Sequence, residues 1–221
     1  MKDIKDEQFP NLDCDIVPVG NYYPQGWEVE LIKNTTEIKV APGALLSEYG
    51  IIEYNVTTAA AIYQAVKFNM PVINRYFTIT GNAVNNPSEM TVRIGTPIPH
   101  IVEAAGGYSI EGDKVMVLGG PMMGSNLMMD DAIVSITVSS ILVFKPEEYI
   151  EEPCVRCGSC VYSCPANLQP VQLMYAAKNK DGDAAKALNV RNCIECGLCS
   201  YVCTSKIHLT DFMRKAKKLV K

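Results

Sequence analysis

Apolar positions along this chain fall into short runs whose period changes, and those runs predict its elements. In TTAAAIYQAVKFNM (57–70), Ala60, Ile62, Val66 and Met70 share one side at helical spacing; a threonine can cap this helix and Pro71 ends it. WEVELIK (27–33) and APGALLSEYG (41–50) predict two shorter helices, the second closed by glycine. DIVPVG (15–20) and IIEYNV (51–56) are β-branched and predict strands. Residues 1–73 thus alternate strand and helix, an α/β pattern.

The texture then changes. RYFTITG, MTVRIG and KVMVLGG are short β runs that each stop at glycine. Between them, TPIPHIVEAAGG (96–107) predicts a helix opened by Thr96 and closed by Gly106 and Gly107. Strand, strand, helix, strand makes a compact α+β unit, followed by a tight loop, GGPMMG (119–124). AIVSITVSSILVF (132–144) alternates as strands do and falls short of the ~20 apolar residues of a membrane span. From Lys145 the chain turns polar. LQPVQLMYAAKNK (168–180), DAAKALNV (183–190) and LTDFMRKAKKLVK (209–221) predict helices, the last with a basic face. The fold class is α+β overall.

Composition adds bounds. The 221 residues are 48% hydrophobic, enough for one medium or two small domains, and the net charge of −4 gives no global basic field for nucleic acid. MKDIKDEQFPNLD at the start has no apolar core for a signal peptide. The expected location is cytoplasmic. Eight of the nine cysteines lie between Cys154 and Cys203, a density that in a reducing compartment means metal or redox chemistry.

Those eight form a repeat. CVRCGSCVYSC (154–164) is matched 39 residues later by CIECGLCSYVC (193–203), with identical cysteine spacing. Gly158 matches Gly197, and Tyr162 matches Tyr201. Three cysteines two residues apart wrap one loop around three irons of a cubane, and the glycine lets the backbone turn closely. The fourth cysteine points out of the loop and, in two-cluster ferredoxins, ligates the other cluster. The expected sets are Cys154, Cys157, Cys160 and Cys203 for one 4Fe-4S cluster, and Cys193, Cys196, Cys199 and Cys164 for the other. Two zinc sites are the rival reading, but zinc takes four ligands and has no use for a third cysteine in each block. A disulfide framework fits worse, since the sulfurs stand too close and secretory features are missing.

Beyond the cysteines, the chain resembles the C-terminal region of the RnfC family, which comprises an Rnf electron-transport complex component and its soluble relatives. The resemblance is carried by YYPQGWEVELIK (22–33), YNVTTAAAIYQAV (54–66), TITGNAVNNP (78–87), VRIGTPIPHIVEAAGG (92–107), GGPMMG and the two cysteine blocks. It implies the C-terminal part of an FMN/NADH-type α/β domain at 1–73 and a β-grasp unit (SLBB) at 74–118. A return segment packing on the first domain follows at 119–146, then a bacterial-type two-cluster ferredoxin domain at 147–221. It implies an oxidoreductase relay linking NADH and flavin chemistry to ferredoxin or another acceptor, peripheral on the inner face of the membrane. The cobalamin-reductase and proline-reduction relatives imply an alternative, an SLBB module that binds a corrinoid or a partner and draws electrons from the clusters. There is no G-x-G-x-x-G here, so FMN and NADH are expected only through a further segment or another subunit. Thr204 stands where the family usually has proline, and WEVEL where a more polar stretch is expected.

The remaining residues carry less. Cys14 is expected as a small buried hydrophobe, and His100 as a solvated histidine with axial ligation of a corrinoid as its alternative. His208 is expected near a cluster, and Tyr162 and Tyr201 as covers over the clusters. Met122, Met123, Met128 and Met129 are expected to fill core or interface. Arg214, Lys215, Lys217, Lys218 and Lys221 form a basic end, read as a solvated face or a dock for an acidic carrier or anionic lipid.

Overall fold

The computed structural model describes residues 13–41, 43–148 and 150–220. Lys221 of the basic end lies outside them. The chain divides into two units, 1–53 and 54–221.

Among its described residues the first unit holds one α-helix, α1 (Glu28–Thr36). Glu28 and Glu30 sit at its positive end and Lys33 in its last turn, with Lys33 Nζ 3.2 Å from Glu30. A single 3-10 turn, Leu46–Tyr49, closes on Gly50 with φ 71°. The strand expected at 15–20 is absent, and 51–55 forms no ladder either, while Val56 already belongs to the next helix. β-branched residues favour an extended backbone, but a strand needs a neighbour to pair with. Cys14 is exposed, not buried as expected. The α/β nucleotide-domain reading of this stretch gains only its helices.

The second unit opens with α2 (Val56–Phe68). Asn55, not a threonine, caps it, its side chain accepting from Thr57 N at 2.9 Å. No residue of α2 is buried; Val66 is 85% exposed and Phe68 58%.

Five strands follow: β1 (Asn74–Thr80), β2 (Ser88–Arg93), β3 (Val115–Leu118), β4 (Ser125–Leu127) and β5 (Ser140–Phe144), ordered β2-β1-β5-β3-β4. β1 and β5 run parallel with Ile79 opposite Ile141, and all other pairs are antiparallel. Residues 119–146, expected as a return segment, supply edge strand β4 and inner strand β5. Of the alternating run 132–144 only the last five residues form a strand; Ile133 makes an isolated bridge to Pro97. Helix α3 (Ile98–Ala104) covers one face. Pro97, not Thr96, holds the cap position, and Pro99 sits in the first turn, where a missing N–H costs nothing. Its buried Ile98, Ile101 and Val102 meet Phe77, Ile79, Ile141 and Val143 to make the sheet's core.

From residue 159 the fold is helical: α4 (Ser159–Tyr162), α5 (Pro170–Lys178), α6 (Gly182–Ala187), α7 (Leu198–Tyr201) and α8 (Leu209–Leu219). Asp181 caps α6, accepting from Ala184 N at 2.9 Å. Leu209, Met213, Ala216 and Val220 recur every three or four residues and are all buried, so α8 presents a continuous apolar stripe. Met213, Ala216 and Val220 pack with Leu173 and Ala176 of α5, while Leu209 joins Met174 and Ile207 around Cys160.

Candidate metal centres

The two cysteine blocks adopt the same backbone. Arg156 and Glu195 both have φ 57°, Gly158 and Gly197 have 81° and 83°, and Asn167 and Lys206 both have 53°. Each left-handed residue turns the chain so that an N–H faces a sulfur. Arg156 N lies 3.4 Å from Cys154 Sγ, and Glu195 N lies 3.4 Å from Cys193 Sγ. Leu168 N and Ile207 N sit at 3.4 Å from Cys164 Sγ and Cys203 Sγ. After each glycine a one-turn helix, α4 or α7, carries the third cysteine.

Two cavities lie between the blocks. One is lined by Cys154, Cys157, Cys160 and Cys203; the other by Cys193, Cys196, Cys199 and Cys164. Each cavity therefore draws three cysteines from one block and one from the other. The donor set, four thiols around one space with backbone N–H groups directed at their sulfurs, fits a 4Fe-4S cluster with one thiolate per iron. Among the described residues no three His, Cys, Asp or Glu side chains gather tightly enough for a single metal ion. The cysteines ring a space, not a point.

The two surroundings differ. Cys157 is exposed, with its Sγ 3.4 Å from Ser159 Oγ and 3.8 Å from Thr204 Oγ1. The Ser159 hydroxyl, then the Ser159 backbone N–H and the Thr204 hydroxyl, hold its thiol below the usual range. The matching Cys196 is buried, at 8% exposed. Burial pushes the Cys160, Cys193 and Cys196 thiols up, and Cys199 up to about 11. Metal binding to such thiols releases their protons. Thr210 Oγ1 lies 3.7 Å from Cys199 Sγ and 2.8 Å from Ser200 Oγ, bringing α8 to the second cavity.

Two further contacts guard the second block. A Cβ on Gly197 would stand 2.8 Å from Met122 O, so the loop after β3 lies on this block. Glu195 accepts from Lys217 at 2.7 Å and Arg214 at 3.0 Å, and these two cations hold its carboxyl below the usual range. Sequence reading missed this role of Met122. It also missed the Glu195 pairings, because the partners lie 19 and 22 residues away. The departure at Thr204 was the one visible signal for the hydroxyls.

The other singled-out residues divide: exposed His100 agrees with its expectation as a solvated histidine, and Tyr162 and Tyr201 depart from theirs. Tyr162 and Tyr201 are 88% and 76% exposed, so they lie on the surface and do not seal the cavities. His208 is exposed at the cap position of α8. His100 is exposed on α3 and does not line the neighbouring cleft of Val102, Glu103, Tyr108 and Asp130. Met128 is 94% exposed and Met129 64%, whereas Met122 is half-buried. Lys215 stacks 5.1 Å from the centre of the Phe212 ring.

Comparison with known proteins agrees with this geometry. Residues 76–126 match the SLBB domain and residues 153–207 match the 4Fe-4S dicluster domain. The chain is 39% identical over 207 residues to the C subunit of the Na(+)-translocating ferredoxin:NAD(+) oxidoreductase complex of Acetobacterium woodii, covering 92% of this chain and 46% of the relative. It is 37% identical over 211 residues to the C subunit of the ion-translocating oxidoreductase complex of Salmonella choleraesuis, covering 93% and 30%. The counterpart from Rhodobacter capsulatus is 36% identical over 158 residues, covering 70% and 30%. The chain thus spans less than half the length of these relatives. The corrinoid alternative finds no support among them. An SLBB domain followed by a 4Fe-4S dicluster domain, aligned over most of its length with these proteins, makes the chain a homologue of part of the RnfC family.

Proposed function

We propose that this chain relays single electrons through two 4Fe-4S clusters within a larger oxidoreductase complex. The observation that carries the reading is the pair of cavities, each lined by four cysteines drawn three-to-one from the two blocks. Cys154, Cys157, Cys160 and Cys203 hold one cluster; Cys193, Cys196, Cys199 and Cys164 hold the other. When bound, each cluster supplies one-electron exchange with no proton or bond rearrangement. The residues do the rest. The N–H groups of Arg156, Glu195, Leu168 and Ile207 stabilise negative charge on the sulfurs. Leu209, Met213 and Leu168 wall the cavities with apolar surface. The crossed ligands hold the two cavities as neighbours.

The relatives are named for a ferredoxin and NAD(+) reaction and for ion translocation. By this kinship the chain works between an NADH- and FMN-binding segment or subunit and a ferredoxin-like acceptor. The uncovered apolar residues of α2, with Val56 at 79% and Val66 at 85% exposed, support a further body packing there. Residues 147–221 serve as the ferredoxin domain and the sheet before them as the SLBB unit. Among the described residues no helix is long and apolar enough to cross a membrane. Association with the inner face of the membrane then runs through other subunits.

Anaerobic purification with iron and sulfide analysis tests this reading, and about eight irons per chain are expected. Reduction is expected to give an EPR signal from two interacting clusters. Bound zinc with no reduced-state signal overturns it.

A further inference from the structure

We propose that electrons pass between this chain and its external partner at the rim of the first cavity, beside Cys157, and that Arg156 there engages an electron-carrier protein with a carboxylate-rich docking face. The proposal rests on the relay reading. Because both cavities are built on one backbone, differences at matching positions isolate what each cavity is for.

Five matched pairs differ in the same sense. Cys157 is exposed where Cys196 is buried. Ser159 matches Leu198, and Thr204 matches Pro165, so two hydroxyls stand at Cys157 Sγ where the matching positions beside Cys196 are apolar, and the hydroxyl at the second cavity, Thr210, comes from α8. Arg156 matches Glu195 at the same φ of 57°. Glu195 is consumed by Lys217 and Arg214, whereas Arg156 is exposed and makes no ion pair among the described residues. Finally, the Met122 carbonyl lies against Gly197, while the space beside Gly158 is met only by the ring of Tyr162. The third cysteine runs the other way, Cys160 being more buried than Cys199, so the opening is confined to the Cys157 side.

Electron exchange weakens steeply with distance, so a partner's redox centre must approach a ligand sulfur at the surface. Cys157 is the exposed one among the eight. A groove beside it, lined by Val161, Gln169, Val171, Gln172 and Tyr175 with Arg156 at its lip, offers apolar and amide contact without an opposing carboxylate. An unpaired cation at such a lip speeds encounter with an anionic surface. The basic face of α8 competes less well. Arg214 and Lys217 are tied to Glu195 and Lys215 lies on Phe212, which leaves Lys218 among the described residues of that face.

The test is stopped-flow oxidation of the reduced, cluster-loaded chain by ferricyanide and, separately, by a cationic cobalt(III) tris-phenanthroline complex. Each oxidant molecule takes one electron and returns one cluster to its oxidised state. Arg156→Glu places at this position the residue type its counterpart already carries in the same backbone conformation. At low salt it is expected to slow ferricyanide about fivefold or more and to speed the cationic oxidant, both effects shrinking at high salt. Arg156→Gln is expected to fall between, and Lys218→Glu to change neither rate by more than about twofold. A second readout is the potential. Ser159→Leu removes a hydroxyl donor from Cys157 and is expected to lower one of the two cluster potentials and leave the other in place. Equal effects of Arg156→Glu on both oxidants, or a larger effect of Lys218→Glu, overturn the proposal, as does a Ser159→Leu shift in both potentials. A chain that loads about eight irons yet shows these results refutes only the port; one that takes up no iron refutes the relay itself.

Discussion

The two cysteine blocks share a backbone and differ in what surrounds it. Matching φ angles at three positions and matching N–H to sulfur distances show that cysteine spacing and one glycine are enough to specify the loop. Yet the first loop leaves Val155, Arg156 and Cys157 exposed, while Ile194 and Glu195 are half-buried and Cys196 is buried. The difference comes from distant chain, namely the loop at Met122 and the basic residues of α8. A duplicated motif thus gives two equivalent rings of cysteines, and its neighbours make them unequal.

The largest expected effect breaks the equivalence outright. Cys164→Ala and Cys203→Ala are each expected to reduce the iron content from about eight to about four. Crossed ligation predicts that the EPR spectrum of Cys164→Ala resembles that of Cys196→Ala, and that of Cys203→Ala resembles Cys157→Ala. The opposite matching would show that each block holds its own cluster.

Next come the paired glycines. A side chain at φ near +80° is strained, so Gly158→Ala and Gly197→Ala each lose about 1–3 kcal/mol. Gly197→Ala is expected to lose more. Its Cβ would meet the Met122 carbonyl at 2.8 Å, whereas at Gly158 the Tyr162 ring, at 3.1 Å, can swing away. Denaturant unfolding of the two variants measures the gap; equal losses would mean that the Met122 loop does not press on the second block.

Smaller still is the ion-pair contrast. Glu195→Gln removes charge pairing that is one-third exposed, so about 0.2–1 kcal/mol is expected, with a fall in α8 protection from hydrogen exchange. Arg156→Gln has no such partner and is expected to leave stability unchanged. The sheet supplies the control. Tyr108 donates to Asp130 at 2.9 Å, and burial first, then Asp130, push its phenol well above the usual range. A raised folded value stabilises the neutral form, so this contribution is whole below pH ~10 and fades as pH rises further. Tyr108→Phe is expected to cost about 1 kcal/mol at neutral pH and to leave both EPR signals unchanged.

Much of this was legible in the chain. The helices at 170–178, 182–187 and 209–219 follow apolar spacing that one helix face can bury by itself. Strands at 74–80, 88–93 and 115–118 were marked by β-branched runs and terminal glycines. The expected strand at 15–20 failed because β propensity without a pairing neighbour fixes nothing. Only five residues of 132–144 became a strand, because β1 and β3 leave room for one short inner strand between them.

The sequence by itself determined which four cysteines gather around each cavity, since the reach of C-x2-C-x2-C and the direction of the fourth cysteine are local geometry. It also carried the polar and apolar substitutions that separate the blocks, Ser159 against Leu198 and Thr204 against Pro165. Only the tertiary structure decided which block lies open. That depends on Met122, some 75 residues before Gly197, and on Lys217, 22 residues after Glu195, and burial is a property of what packs against a residue, not of the residue.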